Sequence, residues 1–174
     1  LGTNGEAAAA SGLRLRARYI PCENARATLL LFHGWRSYPE LDFGAALTFY
    51  QSFGVNILLP DERAQGESEG KFITFGVRES RDVRPWVELH NREFGPEPVF
   101  LGGVSMGATT VLMAAGGPLP ENVRGIMADC GFSSPWEIMA AVAKHRAHLP
   151  AFPMLYLVNF WCRLLAGFDG KEEI

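Results

Sequence analysis

Four short, largely apolar runs, at residues 28–32, 55–59, 99–102 and 123–128, recur along this 174-residue chain with helix-spaced segments between them. No other feature constrains the fold as much. A strand that is apolar at every position, rather than every second one, is covered on both faces. Strands of that kind separated by helices build βαβ units, so the reading is an α/β protein: a mostly parallel sheet with helices on both faces. The length suits one such domain with a sizeable core.

The intervening segments carry helical marks. Residues 38–53 place Phe43, Ala46 or Leu47, Tyr50 and Phe53 at helical spacing, with Gly54 as the stop. Residues 79–94 repeat the pattern through Val83, Trp86, Val87, His90 and Phe94, and Pro85 within them predicts a kink or a later start. Residues 108–115 form a short small-residue helix. Ser134, Pro135 and Glu137 read as N-cap, first helical residue and capping-box acid of a helix reaching about residue 148. A second apolar helix over 154–166 ends at Gly167. Residues 13–20 alternate as a half-exposed strand, and the Gly/Ala-rich residues 1–12 read as a flexible leader. The expected organisation is therefore a leader at 1–12, an α/β core at 13–133 and a helical lid at 134–174.

Composition removes several function classes. Sixteen Lys and Arg against 19 Asp and Glu leave a net charge of −3, which gives no support to nucleic-acid binding or to a polybasic membrane surface. The apolar stretch 149–160 is too short to span a bilayer. Cys22, Cys130 and Cys162 lack metal or disulfide spacing. No G-x-G-x-x-G or P-loop follows a strand, and no H-E-x-x-H occurs, so neither a nucleotide cofactor nor a metal is expected.

The chemistry concentrates in Gly103-x-Ser105-x-Gly107, between the third apolar run and the small-residue helix. There the chain must turn too tightly for side chains beside the serine backbone, and the turn presents the Ser105 hydroxyl at the start of a helix. The Met106 N–H then faces a developing oxyanion, aided by the helix dipole. His33-Gly34 closes the first apolar run, where an oxyanion hole needs its second donor, and Trp35 is the residue expected to supply it. His33 reads as a structural histidine beside the site, and His90 as packing on the apolar stripe of its helix.

With these pieces the chain resembles the α/β-hydrolase superfamily. The matching segments are residues 29–35, ending in His33-Gly34-Trp35, then 61–70, which resemble the Asp-x-Arg-Gly-x-Gly-x-Ser loop with Ala64 where glycine is usual, and 102–108 around Ser105. Residues 125–134 are similar to the serine aminopeptidase-like and esterase-like subgroup. The resemblance implies a cofactor-free serine hydrolase. Ser105 would be its nucleophile and Trp35 and Met106 its oxyanion hole, and a small-molecule acyl ester or a peptide its substrate.

That superfamily orders its triad as nucleophile, acid, histidine, the last two after further strands. Here the lid follows the fourth apolar run and the chain reaches Ile174, so the last strands are expected to be absent. A triad of Ser105, Asp129 and either His145 or His148 would need a lid histidine to reach the strand ends, whereas both read as a solvated helix end. The acid and histidine are therefore expected from a second chain or segment that also covers the 123–128 edge. The alternative is a non-catalytic binding or scaffold protein on the same fold. Trp136, Phe152, Tyr156, Phe160 and Trp161 are expected to pack inside the lid, or else to wall an acyl site.

Overall fold

The apolar runs form the centre of one six-stranded sheet in a computed structural model that describes residues 3–8, 12–146, 148, 150 and 152–172. The strands are β1 (Thr3–Ala8), β2 (Arg14–Ile20), β3 (Ala27–Phe32), β4 (Val55–Pro60), β5 (Val99–Val104) and β6 (Val123–Asp129), in the order β1-β2-β4-β3-β5-β6. β4, β3, β5 and β6 run parallel, and β1 and β2 join antiparallel. This is the α/β-hydrolase arrangement expected from the sequence, with a helical segment after the fourth apolar strand. One expectation is corrected. Residues 3–8, read as part of a flexible leader, pair in register with β2 from Thr3↔Tyr19 to Ala8↔Arg14. Their composition hides a strand whose formation depends on backbone partners along β2.

Two-residue periodicity divides the sheet between two cores. Leu30, Phe32, Leu58 and Leu101 face α3 (Ser80–Phe94) and α4 (Met106–Ala115), packing on Val83, Trp86, Val87 and Val111. Leu29, Leu31, Ile57 and Leu59 face the other way, onto Phe43, Leu47 and Tyr50. The latter come from α1 (Pro39–Phe43) and α2 (Leu47–Gln51), which a 3₁₀ turn at Gly44–Ala46 separates. The single helix expected over 38–53 is thus broken at Gly44. α3 contains Pro85 in its first two turns, without the later start that the sequence allowed.

The chain leaves β3 for β4 on one side and crosses back to β5 on the other. The loops after β3 and β5 therefore part in opposite directions at adjacent carboxyl ends, the place where such sheets open a crevice. Among the described residues β6 pairs only with β5. On the α1–α2 side nothing among the described residues covers the β5–β6 half of the sheet, so Phe100 and Met127 are exposed.

After β6 come α5 (Pro135–Arg146) and α6 (Met154–Trp161), which continues into a π turn at Cys162–Ala166 and stops at Gly167 with φ +64°. The Glu137 N–H donates to Ser134 Oγ at 3.2 Å, as the capping box requires, but the Glu137 carboxylate accepts from the Ser133 hydroxyl instead of closing the box. Phe152, Tyr156, Phe160 and Trp161 are each more than half exposed, so the expected packing of the aromatics inside the lid does not hold for these four. α6 has too few neighbours to cover its whole circumference. Ala166 and Phe168 instead bury against Val77, and Arg78 donates to the Gly167 carbonyl at 3.0 Å.

Candidate active site

β5 ends in a single left-handed residue. Ser105 has φ +53° and ψ −113°, and α4 begins at Met106. A non-glycine residue held there costs about 1–3 kcal/mol, so the surroundings must over-determine it. They do so through contact. A Cβ on Gly103 would lie 2.3 Å from the Gly107 carbonyl, and one on Gly107 would lie 2.0 Å from the Phe32 carbonyl oxygen. The Ser105 N–H donates to the Asp129 carbonyl at 2.8 Å, and the Thr109 N–H donates to the Ser105 carbonyl at 3.1 Å, fixing the turn on both sides.

The loop after β3 lies against this turn. A side chain begun on Gly34 would come within 3.5 Å of Ser105 Cβ. The loop's amides are engaged one by one. Gly34 N–H donates to Asp42 Oδ2 at 2.7 Å, Arg36 N–H to Gln65 Oε1 at 2.7 Å, and Ser37 N–H to the Gly34 carbonyl at 3.2 Å. The Ser37 hydroxyl closes the set on Asp42 Oδ1 at 2.7 Å. Among the described residues the Trp35 N–H has no acceptor. The Met106 N–H belongs to the first turn of α4, whose amides no intrahelical carbonyl can reach. Met106 opens α4 directly after Ser105, and Trp35 follows Gly34 in the loop packed on this turn, so each carries a backbone N–H beside it.

His33 is fully buried, and both ring nitrogens are engaged. The Glu62 N–H donates to Nε2 at 3.2 Å, so Nδ1 carries the proton and donates to the Gly34 carbonyl at 2.9 Å. Burial holds its pKa below the ordinary 6.5, outweighing the Gly34 carbonyl and the nearby Asp61 and Asp42 carboxylates. A neutral imidazole with no free nitrogen cannot shuttle protons for Ser105. His90 is likewise buried, with Nε2 at 2.8 Å from Thr28 Oγ1.

Asp129 stands at the exposed end of β6, where the Cys130 thiol donates to it at 3.1 Å. It shares a cavity of about 350 Å³ with Asp42, Phe43, Tyr50, Val104 and Met127, on the uncovered side of the sheet. His145 and His148 are exposed and make no hydrogen bond to Ser105 or Asp129 among the described residues.

Sequence reasoning missed Asp42, Gln65 and the Asp61–Gly70 loop's interior. Asp61, Glu62, Arg63, Gln65 and Ser68, in the polar loop that resembles the family's, are buried. Arg63 forms a two-point ion pair with Asp82 of α3 at 2.5 and 2.6 Å. Ala64 holds φ +60°, the conformation for which glycine is the usual residue.

The chain matches the sequence profile described as "Alpha/beta hydrolase family" over residues 29–172. It is 27% identical over 164 residues to the uncharacterized protein YqkD of Bacillus subtilis (strain 168), covering 94% of this chain and 53% of that protein. It is 31% identical over 123 residues to the thiohydrolase aneE of Aspergillus aculeatus, covering 68% and 38%. Among solved structures, the esterase Pf2001 of Pyrococcus furiosus superposes over the whole of this chain and 64% of its own, with a TM-score of 0.77 and 22% identity, a likeness of fold. The chain spans about half or less of the length of these two sequence relatives.

Proposed function

The chain belongs to the alpha/beta hydrolase family, and from that premise we propose that it carries the nucleophile and oxyanion half of a serine hydrolase acting on carboxylic esters. The observation that carries this reading is the strained Ser105, flanked by two glycines with no room for a Cβ and set against the loop whose Trp35 amide is uncommitted. A turn that costs conformational energy persists where it serves a reaction.

In this mechanism Ser105 Oγ attacks the acyl carbonyl and its proton passes to a histidine. The carbonyl oxygen becomes an oxyanion held by the Trp35 and Met106 N–H groups. The C–O bond to the leaving group breaks as the histidine returns the proton to the departing alcohol, leaving an acyl-enzyme on Ser105. Water, deprotonated by the same histidine, hydrolyses it. Each oxyanion donor lowers the barrier by about 2.7–4 kcal/mol. The histidine and its acid come from residues outside these 174, on a second chain or a further segment. Three features agree with that origin: the bare β6 edge, the uncovered cavity beside Asp129, and the full commitment of His33 and His90. The esterase-like fold relative and the thiohydrolase relative both fit acyl transfer, with a thioester as an extension of the ester class and a peptide bond as the harder substrate.

The test is labelling of the completed protein with a fluorophosphonate, followed by peptide mass mapping. An adduct on Ser105, absent in Ser105→Ala, together with turnover of p-nitrophenyl esters, supports the reading. No adduct with all segments present would leave a binding protein on a hydrolase fold, and preference for aminoacyl anilides would make it a peptidase.

A further inference from the structure

The turn between Thr74 and Arg78 touches the lid, the oxyanion loop and a buried carboxylate at once. Phe75 holds φ +54°, and its ring stacks on the Trp35 indole with centroids 6.2 Å apart and planes 24° from parallel. The same ring packs on the cluster of Val77, Ala166 and Phe168, where the lid ends. Three residues on, the Arg78 guanidinium donates to the Gly167 carbonyl. Beneath the turn the Glu79 carboxylate accepts from Thr74 N–H at 2.8 Å, Thr74 Oγ1 at 2.6 Å and Gly76 N–H at 2.9 Å, and Glu79 is 1% exposed. Gly76 lies against α4, since a Cβ there would fall 2.9 Å from Thr109 Cγ2. Glu79 thus clamps the turn from below, and Phe75 is thrust out of it between lid and loop.

We propose that Phe75 is a positioning residue that holds the Trp35 peptide toward Ser105 and transmits the seating of the lid to that peptide. The proposal rests on the oxyanion role given to Trp35 above. The Trp35 side chain is 52% exposed, and among the described residues Phe75 is the only aromatic ring that stacks on it, with the Arg36 guanidinium 5.6 Å from its centroid. Gly34 and Arg36 are pinned by Asp42 and Gln65, so the peptide between them turns only as far as the indole moves. Among the described residues no hydrogen bond joins Ala166 or Phe168 to Ser105, and their influence passes through the Phe75 ring.

The test uses the completed hydrolase with Phe75→Leu, which keeps apolar packing on Val77 and Phe168 but loses the flat stack, and with Phe75→Tyr, which keeps it. Phe75→Leu lowers kcat about tenfold with KM within about twofold, a loss of the size expected from a slightly misplaced donor. Phe75→Tyr restores kcat to within about twofold, and the Trp35 amide resonance shifts in Phe75→Leu alone. Phe168→Ala lowers kcat and moves the Trp35 resonance in the wild type, and has no further effect in the Phe75→Leu background, a non-additivity that marks coupled residues. Unchanged kcat in Phe75→Leu, a KM effect only, or equal effects of Phe168→Ala in both backgrounds would overturn the proposal. If Ser105→Ala keeps full turnover, the serine reading fails, and the Trp35 resonance alone then decides the coupling. Cooperative thermal melting of each variant separates these outcomes from misfolding.

Discussion

The Gly34 N–H and the Asp42 carboxylate meet at 2.7 Å, and this bond commits the Gly34 amide while the neighbouring Trp35 amide has no acceptor among the described residues. Asp42 stands on α1, eight residues further along the chain, and its second oxygen accepts from Ser37. Removing the carboxylate frees the Gly34 amide and lets the loop relax. Asp42→Ala is expected to lower kcat/KM about 10- to 100-fold, in line with the loss of a charge-assisted bond of about 1.5–3 kcal/mol. Asp42→Asn, which still offers an acceptor to Gly34, recovers most of it. Ester hydrolysis by the two variants, measured side by side, checks the ordering.

Gly107→Ala tests the elbow as structure rather than chemistry. The new methyl would sit 2.0 Å from the Phe32 carbonyl oxygen, which belongs to a fully buried strand and cannot retreat. Overpacking ordinarily costs about 1–3 kcal/mol, and a collision with backbone lies at or above that upper end. Denaturant unfolding that shows a loss of under about 1 kcal/mol would mean the turn is looser than described.

Glu62 supplies the pH dependence. It is 4% exposed, and burial, reinforced by Glu79 and only partly offset by the Thr110 hydroxyl and Arg63, raises its pKa well above the ordinary 4.5. Below that value both the folded and unfolded states hold the proton. Above it the unfolded chain ionises while the folded one does not, so stability falls as pH rises from 4.5 toward the folded pKa. Asp82, also raised by burial, adds a contribution of the same sign. Glu62→Gln removes the dependence that this group causes. The stability gap between variant and wild type should widen in the variant's favour by up to about 1.4 kcal/mol per pH unit across that window. Urea melts at a series of pH values read it directly.

The Arg63–Asp82 pair is buried, at 7% and 5% side-chain exposure, and ties the loop after β4 to α3. Arg63→Ala leaves Asp82 in an apolar setting beside Glu79 without its cation, and a loss of about 3–5 kcal/mol is expected. The double variant Arg63→Met with Asp82→Leu should recover much of it. Thermal melting of the single and double variants provides the comparison.

The sequence made the sheet and the elbow legible because both are written locally. A run such as residues 29–32 reads as a strand covered on two faces, and two glycines around a serine after such a run leave little else to build, whereas β6, read as a fourth buried strand, has no buried residue because it lies at the sheet edge. Asp42 was not legible, since its partner lies in another loop and its helix reads as an ordinary amphipathic segment. The Asp61–Gly70 loop was legible as a motif but not as a buried one, since Glu62 and Arg63 are charged and only the packing of α3 shows Arg63 paired with Asp82. The strand at Thr3–Ala8 escaped because its existence depends on the free edge of β2 and not on its own side chains.

Arg36, Ala64, Phe75 and Ser105 all adopt positive φ, between +53° and +60°, in the three loops after β3, β4 and β5 at the carboxyl end of the sheet. Conformational tension is therefore gathered on one rim of the molecule, while the opposite, amino-terminal rim has only Asn24 in that state among the non-glycine residues described. Of the four, Ala64 alone makes no contact assigned to catalysis, so Ala64→Gly should relieve about 1 kcal/mol and raise the melting temperature without slowing turnover. On the proposed reading the strain at Ser105 serves the reaction, so a variant that relaxes it is expected to be tougher and slower.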